Sequence, residues 1–513
     1  MGHYLFYVYL KMILTLQPLL AIMLVFLTSG IAFAGDSLTI SKLSSYTEAC
    51  LIEGCAEISA FDLDSMRVFT TNSEENQLRI LDIIEGELVE FKVIDLAPFG
   101  GGPNSVAVSQ GVVAVAVEAE VKQNDGTVVL FTTDGQFKDN LRVGALPDML
   151  TFTPDKQYLL VANEGEPNSA YTIDPEGSVS VIDTTTWLVQ TADFKRFNDR
   201  DLKGARVFGP NATPAQDFEP EYIAVSADSS TAWISLQENN AFAVLDIKQA
   251  KIVDVFGLGY KNHNDPSDGL DASNKDGGIN IQAWPVFGMY QPDAIATYQK
   301  GSRTFIVSTN EGEARDYDGF SEQQRVKDLV LNSRHFSNRS DLQQEQNLGR
   351  LNITTTQGDH KKDGEYDKLY SFGGRSFSIW SEKGDQVFDS RADFETSLQS
   401  FQDNGDMDVW VDSRSDDKGP EPESVVVGEI AGRTYAFIGL ERTSGVFIYD
   451  ITSPESSYLT HYIDLKAHGD LGPEGLVFIP RDNDMGWLLV TNEVSNTISL
   501  YGIRASLEEG YKE

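Results

Sequence analysis

Two copies of one tetrapeptide carry the sharpest chemical signal in the sequence: Asn-Glu-Gly-Glu occurs at 163–166 and again at 310–313. Glycine lets the backbone turn so that two carboxylates and an amide oxygen can face one ion. Calcium takes about six to eight oxygen ligands, and carboxylates are prominent among them. The tetrapeptides therefore predict a calcium site. The alternative is that these acids hydrogen-bond neighbouring strand ends or face solvent.

Further acids recur at two fixed places in a repeat described below: after the second strand of a copy, and beside the proline that opens a copy. Carboxylates held a few ångströms apart disfavour being ionised together, so a ring of them is costly without cations. The scarcity of Cys (2) and His (6) argues against zinc or copper and favours Ca²⁺ as the cofactor. The predicted metal ligands are Glu164, Glu166, Glu311, Glu313, Asp316, Asp318, Glu421 and Glu423.

Two arginines stand next to these acidic motifs. Arg315 and Arg414 could each hold the phosphate or carboxylate of a small ligand by paired hydrogen bonds. The alternative is that each arginine neutralises its acidic neighbours. The sequence contains no G-x-S-x-G, H-E-x-x-H, P-loop or dinucleotide-binding motif. A metal-dependent reaction at Arg315 and Arg414 and a binding role without turnover both stay open, and we slightly favour the reaction.

A separate aspartate-dense loop spans 265–276, with Asp265, Asp268, Asp271 and Asp276. Its spacing does not match the twelve-residue EF-hand loop with its closing glutamate. The loop could bind calcium or could be a solvated acidic loop.

An internal repeat predicts the fold that must position these acids. Each copy has a proline followed by an acidic or polar residue, then alternating apolar strands separated by turn residues. Such units cannot bury their faces singly but can do so when stacked radially, so we predict an all-β fold, a seven-bladed β-propeller. A run of independent β-sandwiches is the alternative. The copies begin at Glu57, Gly102, Leu146, Glu219, Gln291, Glu421 and Gly472.

Two long segments, 257–290 and 319–418, interrupt the repeat and exceed ordinary blade loops. Within the second, residues 371–390 alternate again and predict outer strands of their blade, while 322–350 predicts one or two short helices. Long structured insertions on one face commonly shape a binding site.

The chain ends and composition suggest where the protein works. Residues 1–34 combine Lys11 with a long apolar run and the small-residue pattern Ala32-Phe33-Ala34, which predicts a cleaved signal peptide. An uncleaved membrane anchor is the alternative. Export would favour a disulfide between Cys50 and Cys55. The formal net charge of -38 argues against binding to nucleic acid, because phosphate recognition needs clustered Lys and Arg.

Several longer strings resemble the choice-of-anchor I family, exported bacterial proteins related to the mesenchyme-specific cell surface glycoproteins of biomineralising animals. They include "LPDMLTFTPDKQYLLVANEGEPN", "STNEGEARDYDGF" and "DSRSDDKGPEPESVVVGEIAGRTYAFIGLERTSGVFIYDI". The resemblance covers 43–503 and implies a propeller-like domain, followed here by a polar tail, 504–513. Some relatives are labelled alkaline phosphatase, which implies a metal-dependent phosphoesterase acting on a small phosphorylated or acidic ligand; a calcium-loaded scaffolding protein is the alternative. Members often carry a C-terminal anchor, and since this sequence ends in polar residues we expect a periplasmic or secreted protein without a membrane span once the signal is removed.

Overall fold

The computed structural model describes residues 38–50, 52–405 and 412–505. The predicted signal peptide, 1–34, lies outside the described residues, as does the predicted polar tail, 504–513, apart from its first two residues. Within the described ranges, no helix is long and apolar enough to cross a membrane.

By its own contacts the chain forms one large unit, Thr39–Arg504. The large unit is all-β, and its strands form seven four-stranded antiparallel sheets among the described residues. The first four sheets are β2–β5 (Ser59–Asp62, Arg67–Asn72, Gln77–Ile84, Glu87–Asp95), β6–β9 (Gly102–Ser109, Val112–Glu118, Asp125–Thr132, Phe137–Ala145), β10–β13 (Pro147–Phe152, Tyr158–Asn163, Ser178–Asp183, Val189–Asp193) and β14–β17 (Ile223–Val225, Thr231–Leu236, Ala241–Asp246, Lys251–Gly257).

The remaining three four-stranded sheets include the two that are not continuous in sequence. They are β20-β21-β27-β28 (Ile295–Lys300, Arg303–Asn310, Ser376–Ser381, Gln386–Asp389), β29–β32 (Pro422–Ile430, Arg433–Leu440, Gly445–Asp450, Tyr458–Asp464) and β33-β34-β35-β1 (Pro473–Asp482, Met485–Asn492, Thr497–Ala505, Leu38–Thr47). As its alternation predicts, the 371–390 segment supplies the third and fourth strands of the fifth sheet. The seventh sheet takes its fourth strand from the start of the described chain.

The second strand of each sheet is buried on both faces. Strand β7, Val112–Glu118, reads VVAVAVE and is buried at its five central positions, so it does not alternate in burial as a half-exposed strand would. The reason is that sheets pack face to face. Each sheet from the first to the fifth shares an apolar cluster with the next sheet along the chain. A further apolar cluster joins the seventh sheet to the first. The sixth and seventh sheets meet where Phe437 stacks on Phe478, with ring centroids 5.3 Å apart. The arrangement is propeller-like.

The two insertions combine into one further substructure. Its five-stranded sheet draws strands from both segments, in the order β18-β19-β26-β25-β24 (Tyr260–Asn262, Phe287–Met289, Tyr370–Ser371, Asn352–Thr354, Gln323–Arg325). A separate hairpin, β22-β23 (Asp316–Tyr317, Phe320–Ser321), directly precedes β24 in the chain. Leu270 and Trp284 of the first insertion share an apolar core with Leu329 and Leu348 of the second. Burial of these side chains holds the two insertions together.

Helices are few and short in the described part of the chain. The α-helices are α1 (Pro214–Asp217), α2 (Arg339–Leu342) and α3 (Asp393–Asp403), and the 3₁₀ turns are Lys195–Phe197, Pro266–Asp268, Val326–Asp328, Leu348–Arg350, Asp412–Arg414, Pro454–Ser456 and Lys466–His468. The segment 322–350 thus contains β24 near its start and short helical turns after it.

Candidate metal centre

In several sheets the first strand has a proline at or next to its start. An irregularity in the strand pairing follows this proline and redirects the polar side chain beside it. The strand register shifts directly after Pro103, Pro147, Pro422 and Pro473. Proline has no N–H for the ladder, and a bulge redirects the side chains beside it. Seven residues at this position line one cavity of about 810 Å³; we call them the inner ring, Glu57, Asn104, Asp148, Glu221, Asp293, Glu423 and Glu474.

The residue before the proline is strained in copy after copy. Leu146, Gln291 and Glu421 have φ angles of 48°, 46° and 53°, and Gly472 has 67°. A left-handed backbone costs a non-glycine residue about 1–2 kcal/mol. Strain of this kind concentrates at functional sites, where the surrounding structure imposes it. Its recurrence beside the inner ring marks the rim of this cavity as a constrained region.

Burial and mutual repulsion raise the pKa values of the inner-ring carboxyls. Burial, followed by the charge of Glu166, raises the pKa of Asp148 to about 7. Burial raises the pKa of Glu57 to about 7 as well. The pKa values of Glu221 and Asp293 lie well above the usual range, first because of burial and then because of nearby carboxylates. The ring therefore favours either bound protons or bound cations.

Three carboxylates converge closely enough to share one ion. One oxygen each of Asp293, Glu311 and Glu423 lies within 4.8 Å of the others. Oε2 of Glu423 is buried and has no hydrogen-bond partner among the described residues. Burial followed by the charge of Glu311 raises the pKa of Glu423 well above its usual range. An all-oxygen donor set with an unpartnered carboxylate oxygen fits a hard cation such as Ca²⁺.

A second convergent group, Glu311, Glu421 and Glu441, is already neutralised by side chains of this chain. Lys418 Nζ lies 2.5 Å from Glu311 Oε1. Arg442 Nε donates to Glu421 Oε2 at 3.0 Å, and its Nη1 lies 2.7 Å from Glu441 Oε1. These ion pairs supply the charge that a metal would otherwise supply.

The predicted metal ligand Glu421, a member of this second group, is paired with Arg414, which the sequence predicted to hold a substrate. Arg414 Nε donates to Glu421 Oε1 at 2.6 Å, and its Nη2 donates to Asp417 Oδ2 at 2.9 Å. Glu421 is fully buried, whereas 30% of the Arg414 side chain is exposed. Arg414 thus neutralises a buried acid while its own side chain stays partly exposed.

The structure does not bring the two Asn-Glu-Gly-Glu copies together. One follows the second strand of the third sheet and the other that of the fifth, and Glu238 of the fourth sheet lies between them. Burial raises the pKa of Glu238 to about 7, and the charges of Glu313 and Glu166 contribute to the rise. The charges of Glu166 and Asp148, after burial, raise the pKa of Glu164. The two copies therefore lie on different arcs of the acidic cluster.

The asparagine side chains of the two tetrapeptides hydrogen-bond to serines of the neighbouring strands. Nδ2 of Asn163 donates to Ser180 Oγ at 3.0 Å, and Nδ2 of Asn310 donates to Ser378 Oγ at 2.9 Å. The glycines turn as predicted: φ of Gly312 is 94°, and a Cβ there would lie 2.1 Å from the nitrogen of Gly373. The amide oxygens are engaged as well: Asn163 Oδ1 accepts the N–H of Gly144 at 3.1 Å, and Asn310 Oδ1 accepts the hydroxyl of Ser308 at 2.8 Å.

Asp316 and Asp318 are exposed and lie on the insertion hairpin. Gln323 Nε2 donates to Asp316 Oδ2 at 2.6 Å, and Ser169 Oγ donates to Asp318 Oδ2 at 2.8 Å. Between them, Tyr317 donates its hydroxyl to Glu166 Oε1 at 3.1 Å. The two aspartates tie the hairpin to its neighbours, and neither belongs to a convergent acidic group within the described ranges.

Arg315 is buried, and its guanidinium is surrounded by acceptors. Nη1 lies 2.5 Å from Asp217 Oδ1, and Nη2 lies 2.9 Å from Glu219 Oε1. Nη2 also donates to the backbone oxygen of Asp217 at 2.7 Å. Asp217 is a partner that the sequence repeat did not reveal, because it lies in α1 outside the strands. In this geometry Arg315, directly before the insertion hairpin, is tied to the segment 217–219 that precedes the fourth sheet.

The two cysteines form a disulfide, Cys50–Cys55. The N–H of Cys55 donates to Asn496 Oδ1 at 2.9 Å, and the N–H of Gly54 donates to the backbone oxygen of Glu493. The small loop is thereby fixed against the acid that follows the second strand of the seventh sheet.

Comparison with known proteins shows which family the chain belongs to. The sequence model of the choice-of-anchor I domain matches residues 57–454, most of the chain. The chain belongs to this family, as the sequence strings predicted. It is 31% identical to Gigasin-3a of Magallana gigas over 191 residues, which make up 32% of this chain and 67% of that protein.

Two further similarities cover more of the chain at lower identity. Mesenchyme-specific cell surface glycoprotein of Strongylocentrotus purpuratus is 24% identical over 375 residues, 62% of this chain and 46% of that protein, so the chain spans less than half of this relative. Hydrazine synthase of Kuenenia stuttgartiensis aligns in structure with a TM-score of 0.46 and 12% identity, covering 89% of this chain and 98% of that one.

Proposed function

We propose that this protein is an exported, calcium-binding β-propeller whose seven four-stranded sheets form a closed ring of blades around the inner ring of acids. The apolar cluster between the seventh and first sheets supports closure. The N-terminal apolar run supports export. The similarity to the cell surface glycoprotein of Strongylocentrotus purpuratus also supports export.

The convergence of Asp293, Glu311 and Glu423 carries the calcium proposal. These carboxylates come from two neighbouring sheets and would be drawn together by one ion. Calcium suits them because it accepts irregular oxygen coordination and is abundant outside the cytoplasm, whereas magnesium demands tighter octahedral geometry. The backbone strain beside the ring and the unpartnered Glu423 oxygen point in the same direction.

Calorimetric titration of the chelated full chain with Ca²⁺ tests the proposal. We expect binding that weakens at least tenfold in Glu423→Gln and in Asp293→Asn, since each loses a charged ligand. The matched control is Glu365→Gln, which removes one carboxylate from an exposed position outside the ring. Equal affinity in wild type and both ring variants would overturn the proposal.

A second candidate function, calcium-dependent hydrolysis of a small phosphoester, is favoured by the cations beside the converging acids. Arg414 is partly exposed, and Lys418 Nζ lies 2.9 Å from the half-exposed Glu313. A bound hard cation would supply polarisation of a phosphoryl oxygen. Arg414 would then bind the phosphate oxygens by paired hydrogen bonds, and Lys418 would hold Glu311 in place. The predicted role of Arg315 fits less well, because its donors already face buried acceptors.

Phosphomonoester hydrolysis at alkaline pH separates this candidate from a binding protein without turnover. We expect activity that disappears on chelation, returns with calcium and falls in Arg414→Gln, which keeps much of the side chain but not its charge. Absence of turnover in the calcium-loaded protein, with calcium still raising the melting temperature, would reject hydrolysis of these substrates and leave the binding or scaffolding role.

A further inference from the structure

The aspartate-dense loop in the first insertion divides into acids with partners and acids without. Asp265 accepts the N–H of Ser267 at 3.0 Å and begins the 3₁₀ turn Pro266–Asp268. Asp268 lies 3.9 Å from Arg391 Nη1. These two acids have local structural roles. Asp271 and Asp276, farther along the loop, do not follow this pattern.

Asp271 is completely buried, yet only one of its two carboxylate oxygens accepts a hydrogen bond from the described residues. Oδ2 accepts the hydroxyl of Ser415 at 2.8 Å, while Oδ1 has no hydrogen-bond partner in the described part of the chain. Oδ1 of Asp276 is likewise buried without a partner among the described residues. A buried, unpartnered carboxylate oxygen is costly, and two of them in one loop call for a compensating ligand.

The charges around Asp271 are negative in excess. Burial, followed by the charge of Glu395 in α3, raises the pKa of Asp271 to about 7, and Asp276 raises it further. Arg375 is close, but its Nη1 donates to the backbone oxygen of Asp271 and to Glu395 Oε1, each at 2.7 Å. Arg375 thus pairs with Glu395, and within the described ranges neither Asp271 nor Asp276 has an ion pair.

We propose that Asp271 and Asp276 form a second divalent-cation site, separate from the inner ring and suited to Ca²⁺. The site lies where the 265–276 loop meets α3 and the segment containing Ser415. Its donors are carboxylate oxygens, the ligand type that hard cations take. Because the loop also packs Leu270 into the insertion core, a bound cation would fasten the insertion independently of any ion in the ring.

Calcium stoichiometry in the full chain tests this site independently of the ring. In a chain with Asp293→Asn and Glu423→Gln, we expect one bound calcium equivalent to remain and to be lost when Asp271→Asn is added. Asp276→Asn, at a partly exposed position, is the second variant if Asp271→Asn compromises folding. Asp316→Asn, in the exposed hairpin, is the matched control and should retain the equivalent. An unchanged equivalent in both loop variants would overturn the proposal, as would none in the ring-disabled chain.

Terbium luminescence gives a positional readout. Trp284 packs in the same apolar cluster as Leu270 and Ala272, which flank Asp271. Terbium bound at the loop should therefore emit when tryptophan is excited. We expect the emission of the ring-disabled chain to fall at least severalfold in Trp284→Phe and to vanish in Asp276→Asn. Emission indifferent to both substitutions would place the ion elsewhere and refute this site.

Discussion

Asp148→Asn should stabilise the calcium-free protein at alkaline pH. The substitution removes one carboxylate from the inner ring and keeps the shape of the side chain. The second repeat already has an amide here: Asn104 Nδ2 donates to the backbone oxygen of Pro147 at 3.1 Å. Asp148 is not one of the three acids whose oxygens converge. The variant therefore tests repulsion in the ring without removing a proposed calcium ligand.

The size of the effect follows from the proton affinity of Asp148. Burial and then Glu166 raise its pKa from 3.8 to about 7, a difference of about 4 kcal/mol. A carboxyl whose pKa is higher in the folded than in the unfolded chain stabilises the fold while protonated. That stabilisation is complete below the unfolded pKa and is lost as the pH rises through about 7. Asparagine has no such dependence.

Urea unfolding in EDTA at pH 4 and pH 8 measures this contribution. From pH 4 to pH 8, wild type should lose up to about 4 kcal/mol more of its unfolding free energy than Asp148→Asn. Calcium at pH 8 should narrow the gap, because a cation relieves the same repulsion. The exposed Glu365→Gln is the control and should follow wild type. If wild type and Asp148→Asn lost equal stability over this pH range in EDTA, the electrostatic account of the ring would be refuted.

Three substitutions test the charges around this site. Glu423→Gln should weaken calcium binding at least tenfold, about 1.4 kcal/mol, by calorimetry; undiminished affinity would exclude Glu423 as a ligand. Lys418→Met should lower the melting temperature of the calcium-free protein, because Glu311 loses its ammonium partner. Calcium should then raise the melting temperature of this variant by more than that of wild type, because Lys418 no longer competes with the ion for Glu311. An equal rise in both proteins would refute this competition. Arg315→Met should lower the free energy of unfolding by about 3–5 kcal/mol, since it leaves two buried carboxylates without their cation, and urea unfolding unchanged from wild type would contradict this.

Much of the scaffold could be predicted because its signals are local. Proline at the start of a copy, apolar strands and turn residues all lie within about thirty residues of one another, so each copy is visible in the sequence. The inner ring was partly predictable on the same ground: Asp148, Glu221, Asp293 and Glu423 each follow such a proline. Glu57 was harder to assign, because alanine precedes it and its copy is predicted to begin at Glu57 itself rather than two residues earlier.

Which acid pairs with which cationic side chain depends on how the fold brings segments together that are distant in sequence. Lys418 contacts Glu311 although about a hundred residues separate them in sequence, and nothing in the sequence around either residue specifies that contact. The two Asn-Glu-Gly-Glu motifs lie apart for a related reason: these identical loops follow strands of the third and fifth sheets, and the fourth sheet separates them. A repeat fixes the position of a residue within its blade, whereas the insertions decide which neighbours it acquires.

The selective neutralisation of the acids is the strongest argument that the cavity is built for a ligand. Glu421, completely buried, contacts both Arg414 and Arg442. Glu423, two residues later on the same strand, keeps a buried oxygen without a partner among the described residues. A chain selected only for stability would treat both carboxylates alike, since unpaired buried charge is so costly. The contrast between these two acids supports the proposed cation site at Glu423 and the residues that converge on it, and removing that single charge is the change to which calcium affinity should respond most.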